Sequence, residues 1–414
     1  MFPIYNLAIR AYAGAVRLAS LFDPKAAKWV RGRIDWENKL GSIIRSKENY
    51  IWVHCASLGE FEQGRPVIEA LKKEYPGHSI LLSFFSPSGF EIKKNDDQVD
   101  GVVYLPLDTV GNARRFLDIV RPDFAIFVKY EFWFNFMREL NRRDIPVFVV
   151  SAIFRKDQHF FKAYGGWFRK QLKKISWIFV QNDDSLKLLQ EYSIENASKS
   201  GDTRFDRVAD IARNSNTFPE VEKFVKGYPV LLAGSTWPPG EKLVKDFLAQ
   251  DKSGLKVIIA PHEVHEDRIR DILEKFPGMC VRFSKIDERK GDERILIIDS
   301  IGILSQLYKY ADLAYIGGGF GAGIHNILEA ATFGKAVLFG PRYKKFKEAR
   351  DLVELEGAFP VKNAAEFSVR MNGLLNDKKQ YERACSICEK YTRENQGATR
   401  VILQKINLLM SGES

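Results

Sequence analysis

Three groups of side chains in this 414-residue chain have types and spacings that can do chemistry. The first is Glu60 in the stretch Val53–Glu60, VHCASLGE, where a carboxylate follows an apolar run and a turn of small residues. Ala56, Ser57 and Gly59 are too small to block a ligand, and Arg65 and Pro66 open a helical pattern that runs through Leu71. A carboxylate at such a turn is placed to act as a base. Equally, one in the first turn of a helix complements the macrodipole and does no more than that.

The second group is a glycine run after the apolar residues Leu313 to Ile316, in AYIGGGFGAGIHNILEAA. Gly318, Gly319, Gly321 and Gly323 precede a helical pattern containing Leu328 and Ala331, so backbone amides can face an anion there. Asn326 and Glu329 share a helical face and suit phosphate and ribose hydroxyls respectively. An ordinary glycine turn before a capped helix is the alternative. The third group lies in two further loops after apolar runs, GSTWPPGEK with Ser235 and Thr236, and APHEVHED with Pro261 and His262. Ser235 can hold a phosphate oxygen through hydroxyl and amide, and His262 can donate to the edge of a nucleotide. Each of these residues also suits a plain turn, but loops that follow parallel strands meet over one ligand.

Other chemistries are disfavoured. The glycine run comes too late in the chain for a dinucleotide fingerprint, and no GxxxxGK[ST] is present. Cys385 and Cys388 form a CxxC in a helical pattern with no second ligand pair, and His262 and His265 lack the HExxH spacing. Asp183 and Asp184 read as the start of a helix rather than a metal site.

These residues need elements to position them. From about residue 50 short apolar runs alternate with helical stretches, the pattern of a parallel sheet covered on both faces. Strands are expected at 51–55, 79–84, 101–105, 124–128, 147–151, 177–181 and 198–201, and again at 230–233, 256–260, 279–283, 295–298, 313–316, 336–339 and 358–361. The polar stretch 212–220 separates the two series as a linker. The expected fold is α/β, with two doubly wound Rossmann-like domains facing a central cleft that holds the site. Residues 36–215 form the first domain and 221–414 the second, with the last helices packing back on the first.

A chain of this length with 45% hydrophobic residues exceeds one compact core, and 28% charged residues mark it as globular. The 63 basic against 53 acidic residues give +10, which selects anionic partners: nucleic acid, phosphorylated small molecules or an anionic membrane. Basic residues are spread along the whole chain and no nucleic-acid reading motif is present, so nucleic acid is not the expected partner. Four scattered cysteines form no disulfide framework and point to a reducing compartment. Residues 1–35 form a separate segment. Asn6, Arg10 and Arg17 fall near one helical face, and Phe2, Ile4, Leu7, Ile9, Tyr12, Val16 and Leu21 cover much of the rest. Such a helix, followed by Lys25, Lys28, Arg31 and Arg33, suits an anionic membrane interface, and equally a docked position on its own domain.

The blocks HCASLGE, KYEFWFN, GDTRFD, GSTWPPGE, APHEVHED, GIHNILEAA and ENQGA, in that order, resemble the 3-deoxy-D-manno-octulosonic acid (Kdo) transferases over roughly residues 51–400. That resemblance implies a GT-B fold and an inverting, metal-independent glycosyltransferase. It implies CMP-Kdo as donor substrate, no resident cofactor, a lipid A precursor as acceptor, and peripheral attachment to the cytoplasmic face of the bacterial inner membrane. It makes Glu60 the general base and Glu131 an acceptor-positioning or supporting carboxylate. Arg204 becomes the cation that offsets the leaving phosphate or the Kdo carboxylate, in a place where relatives often have lysine. Ser235, Asn326 and Glu329 fall at the nucleotide end. The chain departs from the family at Trp237 to Gly240, at His262 in place of arginine, at Lys129 and Tyr130, and at Ile324, which leaves the nucleotide contacts open.

Overall fold

The computed structural model describes residues 1–45 and 48–412. All fourteen expected strands form, with ends displaced by at most three residues. The chain divides into two units, the first made of residues 1–207 and 396–414, the second of residues 208–395.

The first unit holds β1 (Asn49–Cys55), β2 (His78–Phe84), β3 (Gly101–Tyr104), β4 (Pro122–Val128), β5 (Val147–Ala152), β6 (Trp177–Val180) and β7 (Ala197–Lys199). They form one parallel sheet in the order β3-β2-β1-β4-β5-β6-β7. Side chains alternate across the sheet, so each strand feeds two cores. Tyr50, Trp52, Ala125, Phe127 and Val149 face one side. Ile51, Val53, Phe124, Ile126 and Phe148 face the other, where Ile402 and Ile406 of the C-terminal helix Ala398–Met410 complete the cover. Asp206 fixes the start of that helix by accepting from the Gly397 and Thr399 amides.

The second unit holds β8 (Val230–Thr236), β9 (Lys256–Pro261), β10 (Cys280–Arg282), β11 (Ile295–Ile297), β12 (Leu313–Ile316), β13 (Ala336–Phe339) and β14 (Ala358–Pro360), ordered β10-β11-β9-β8-β12-β13-β14. This sheet is also parallel and buried on both faces. In each unit the winding reverses beside the first strand, between β1 and β4 and between β8 and β12. Loops diverging from such a point leave a crevice at the strands' carboxyl ends.

Two boundaries differ from expectation. The units divide inside the helix Thr203–Arg213 rather than in the polar stretch 212–220. That stretch is tied into the second unit, where the Asn216 amide donates to Gln306 and the Phe218 amide to the Tyr310 hydroxyl. The helix expected to open at Arg65 and Pro66 begins earlier, at Leu58, and runs to Glu74 with Pro66 inside it. Phe61, Val67, Ile68 and Leu71 bury one face of this helix against the sheet, and that burial carries the helix across the proline.

Three helices precede β1: α1 (Phe2–Ala19), α2 (Pro24–Gly32) and α3 (Trp36–Ile43). Helix α1 both docks and exposes an apolar face. It docks through Phe2 and Tyr5, whose rings meet Trp167 and Phe134, and through Asn6, which accepts from Asn135. Its polar Asn6 thus points inward, whereas Ile4, Leu7 and Leu18 are 65–69% exposed and Phe22 beyond it 89%. Tyr5 also donates to Asp108, a buried carboxylate that accepts from the Asn135 and Phe136 amides at the start of helix Phe134–Arg142.

Burial pushes the Asp108 carboxyl up to about 6, against the opposing pull of the Tyr5 hydroxyl and the two amides. The folded chain therefore holds that proton more tightly than the unfolded one, whose carboxyl titrates near ~3.9. Stability from this site is full below about pH 4 and falls as pH rises through about 6. Asp108→Asn, which removes the titrating proton and keeps one of the two acceptor oxygens, is expected to flatten the urea-unfolding profile between those pH values. An unchanged slope would count against it.

Candidate active site

In the first unit the crevice between β1 and β4 is built from the loop 56–60 and the loop 129–133. Ser57 precedes the helix Leu58–Glu74 and has extended backbone angles, but its hydroxyl does not accept a helix amide. It donates instead to the Glu60 carboxylate one turn on. The other Glu60 oxygen lies 3.8 Å from the Lys129 ammonium. Glu60 is thus in the first helical turn, as the capping reading requires, while its oxygens are engaged by a hydroxyl and a cation.

Lys129 follows β4 directly with φ +65, a left-handed backbone that a lysine rarely adopts. That turn directs the chain toward Glu131. Burial pushes the Lys129 ammonium below its ordinary range; Glu60 opposes the shift and Arg204 adds to it. Arg204 is itself forked onto Asp202, with Nε and Nη2 at 2.9 and 2.7 Å from Oδ2. Glu131 Oε2 accepts the Trp133 indole at 2.9 Å and lies 3.4 Å from His54 Nε2. His54 is fully buried on β1, its Nδ1 2.9 Å from the Ser83 hydroxyl, which in turn accepts from the Trp52 indole at 2.8 Å. Glu131 is therefore anchored from below. Around one crevice stand a carboxylate able to take a proton, a carboxylate held in place, and two cations.

In the second unit Ser235 sits at the end of β8 with φ +49, and Thr236 follows it. The Thr236 hydroxyl is buried and donates to Glu241 at 3.0 Å, and Pro261 is buried at the end of β9. Neither presents a side chain to a ligand, because the strand alternation that exposes Ser235 and His262 turns these two inward. Glu241 is fully buried and also binds Arg268 and Lys275. Outside this triad, three aromatic rings stack at the β8–β12 crevice. The His262 and His325 rings lie 4.2 Å apart, Trp237 leans on His262 at 5.0 Å, and the Trp237 indole donates to His325 Nε2 at 3.1 Å. Burial, with His262 adding to it, pushes His325 down to about 4, so this ring is neutral and accepts the indole proton.

The glycine loop is shaped first by crowding. A side chain at Gly319 would meet the Gly340 backbone at 2.6 Å, and Gly318 has φ +88. The Gly321 and Gly323 amides donate to Gly318 within the loop, so they are not available to an anion. The Gly318 and Gly319 amides have no acceptor among the described residues. Arg342 and Lys345 tie down the loop by donating to the Gly321 and Ala322 carbonyls at 2.7 Å each. Asn326 contacts Glu329 at 3.2 Å and accepts from the Leu328 amide, so these two act together as expected from their spacing. The helix they open is short, Leu328–Ala331.

Lys129, Trp237, His325, Arg342 and Lys345 escaped sequence reasoning as site residues. For Lys129 and Trp237 the one available signal was departure from the family pattern. Among the described residues no three His, Cys, Asp or Glu side chains gather as a metal site.

Two doubly wound units, each with polar loops at its own switch point, define an α/β protein of the GT-B class. Neisseria meningitidis UDP-GlcNAc 2-epimerase has the same fold, with a TM-score of 0.60 at 15% identity, covering 86% of this chain and 99% of that one. Residues 34–207 match the model of the family described as 3-deoxy-D-manno-octulosonic-acid transferase. The 3-deoxy-D-manno-octulosonic acid transferase of Aquifex aeolicus is 27% identical over 376 residues, 89% of this chain and 96% of that protein. A bifunctional glycosyltransferase/methyltransferase of Fusobacterium nucleatum is 26% identical over 382 residues, 88% of this chain, which spans 58% of that longer protein. Over most of its length the chain is thus similar to the 3-deoxy-D-manno-octulosonic acid transferases, with the family match itself lying in the first unit.

Proposed function

We propose that this chain transfers Kdo from CMP-Kdo to a hydroxyl of a lipid A precursor, with inversion at the anomeric carbon and Glu60 as general base. The observation that carries the reading is Glu60 at the β1–β4 crevice, engaged by Ser57 and Lys129, in a chain similar to this family. Glu60 accepts the proton of the acceptor hydroxyl while that oxygen bonds to the anomeric carbon. The bond to the CMP phosphate breaks on the opposite face, and CMP departs with the electron pair. One base suffices, since a single displacement inverts the centre.

Cations serve such a reaction because both the donor carboxylate and the departing phosphate are anionic. Lys129 stands beside Glu60, Arg204 with Asp202 lies close to the same lysine, and Glu131 positions the acceptor. In the second unit Ser235, the Gly318 and Gly319 amides, Asn326 and Glu329 serve the nucleotide, with His262 at its edge. No resident cofactor is needed, and activity is expected to survive a chelator.

Mass analysis of a lipid A precursor after incubation with CMP-Kdo and the purified chain tests the proposal: each transfer adds one Kdo unit. The rival within the same fold is a UDP- or GDP-sugar enzyme. Protection from inactivation by UDP or GDP, and none by CMP, would favour that rival.

Attachment to the cytoplasmic face of the inner membrane is supported by the exposed side of α1, followed by Lys25, Lys28 and Arg31. No described helix is long and apolar enough to cross a membrane, so the attachment proposed is interfacial. Replacing Ile4, Leu7, Leu18 and Phe22 together by serine spares the docking face. This variant is expected to lose most of its pelleting with anionic vesicles while transfer to a soluble short-chain acceptor changes less than about twofold. Undiminished pelleting would reject the role of this face.

A further inference from the structure

Under the three N-terminal helices lie two adjoining cavities that the transfer reaction does not use, one against α3 and the other against α1 and α2. One, of about 300 Å³, is walled by Trp36, Ile43, Phe90, Val102, Tyr104 and Phe116, with Lys39 and Ser42 at its mouth. The other, of about 320 Å³, is lined by Arg17, Trp29, Arg33 and Ile34, among others. Trp36 lines both, and the consecutive residues Gly32 and Arg33 line one each. Neither lining contains an Asp or Glu.

Arg33 is the unusual group here. Its guanidinium stacks on Trp29 at 3.9 Å and donates to the carbonyls of Trp29, Phe85 and Leu105. Among the described residues no carboxylate pairs with it, nor with Arg17 or Lys39. Burial pushes it down to about 9, so its charge is held in place without a counterion. A buried cation with no counter-charge is costly, and an anion arriving beside it relieves that cost. Next to it stands an apolar cavity within the size range of ligand pockets, roughly 300–1,000 Å³. The cavity beside Arg33 is lined by Ala13 and Arg17 of α1, the helix whose exposed face carries Ile4, Leu7 and Leu18.

We infer that these cavities bind one anionic membrane phospholipid, an acyl chain entering the apolar cavity and the phosphate meeting Arg17 and Arg33. The second source of the same chemistry, a phosphorylated and acylated acceptor, is disfavoured by position: no residue of the Glu60 crevice lines either cavity. The lipid site stands apart from the transfer reading, because its readout is binding.

The probe is a series of alkyl phosphates, butyl to dodecyl, titrated below their aggregation limits into the full chain by calorimetry. Affinity is expected to rise by up to about fourfold per methylene and then level off as the apolar cavity fills. Ser42→Trp, which plugs the mouth, is expected to weaken dodecyl phosphate at least about tenfold and leave butyl phosphate unchanged. Arg17→Glu is expected to weaken both. Circular dichroism and melting of each variant check the fold. Phosphatidylglycerol vesicles are expected to compete with dodecyl phosphate, and phosphatidylcholine vesicles to compete poorly. Unsaturable binding, wild-type affinity in the folded Ser42→Trp variant, or equal affinity for an uncharged dodecyl amphiphile would overturn the site. Competition by a lipid A precursor but not by phosphatidylglycerol would overturn the assignment to membrane phospholipid.

Discussion

Glu60→Gln is expected to lower the rate of Kdo transfer by at least about 10²–10⁴-fold, the range that a positioned general base contributes. The amide can still accept from the Ser57 hydroxyl, so the loop keeps its shape, but it cannot take a proton. Folding should change little. Glu60 lies in the first turn of a 17-residue helix, where losing a negative charge costs about 0.3–1 kcal/mol. CMP binding, measured by calorimetry, should match the parent, because the nucleotide groups proposed above all come from the second unit. Turnover within a few-fold of wild type would sink the base assignment. Lost CMP binding would mean instead that the substitution had disturbed more than the base.

The second large effect is structural. Glu241→Ala is expected to destabilise the second unit by about 3–5 kcal/mol, the cost of breaking a buried ion pair by removing one partner. Glu241 accepts from Thr236, Arg268 and Lys275 and is itself fully buried. Without it Arg268, 7% exposed, keeps its charge with no carboxylate beside it, and the Thr236 hydroxyl loses its acceptor. The lysine is the less buried cation, with 22% of its side chain exposed, so Lys275→Ala should cost markedly less. Because Thr236 links Ser235 to Trp237, nucleotide binding should weaken in Glu241→Ala even where the unit remains folded. Urea unfolding of both variants checks the order. A loss below about 1 kcal/mol for Glu241→Ala would show that the triad is not the support described here.

The triad also shows why part of the site was hidden. Glu241 falls in a block that marks the family, yet its partners lie 27 and 34 residues away, on a helix whose approach depends on how β9 pairs with β8. A carboxylate beside GST and two prolines reads as an exposed helix start. Thr236 and Pro261 were misplaced for a related reason. Both sit in loops of the right position, but strand alternation decides which side chain faces out, and the strands run three and one residues further than their apolar runs.

Glu60, Asn326 and Glu329 stood out because local pattern carries them: an apolar run, a turn, and residues of fixed spacing on a helix, whereas Glu131 came from the family resemblance alone. The glycine run was legible as a tight loop. That Gly319 answers to the Gly340 backbone was not, since two strand ends must first be brought together.

The sequence by itself determined the two series of parallel strands, the order of their loops and the family that the chain resembles. Periodicity and turn chemistry act over a few residues and survive without tertiary context. Tertiary structure decided which groups meet. It placed Lys129 at Glu60, stacked Trp237 with His262 and His325, and turned Asn6 rather than Leu7 toward the protein. Helix α1 has apolar residues on several sides, and periodicity ranks them equally. Asp108, Phe134, Asn135 and Trp167, all more than a hundred residues away, select the side that docks and so the side left open.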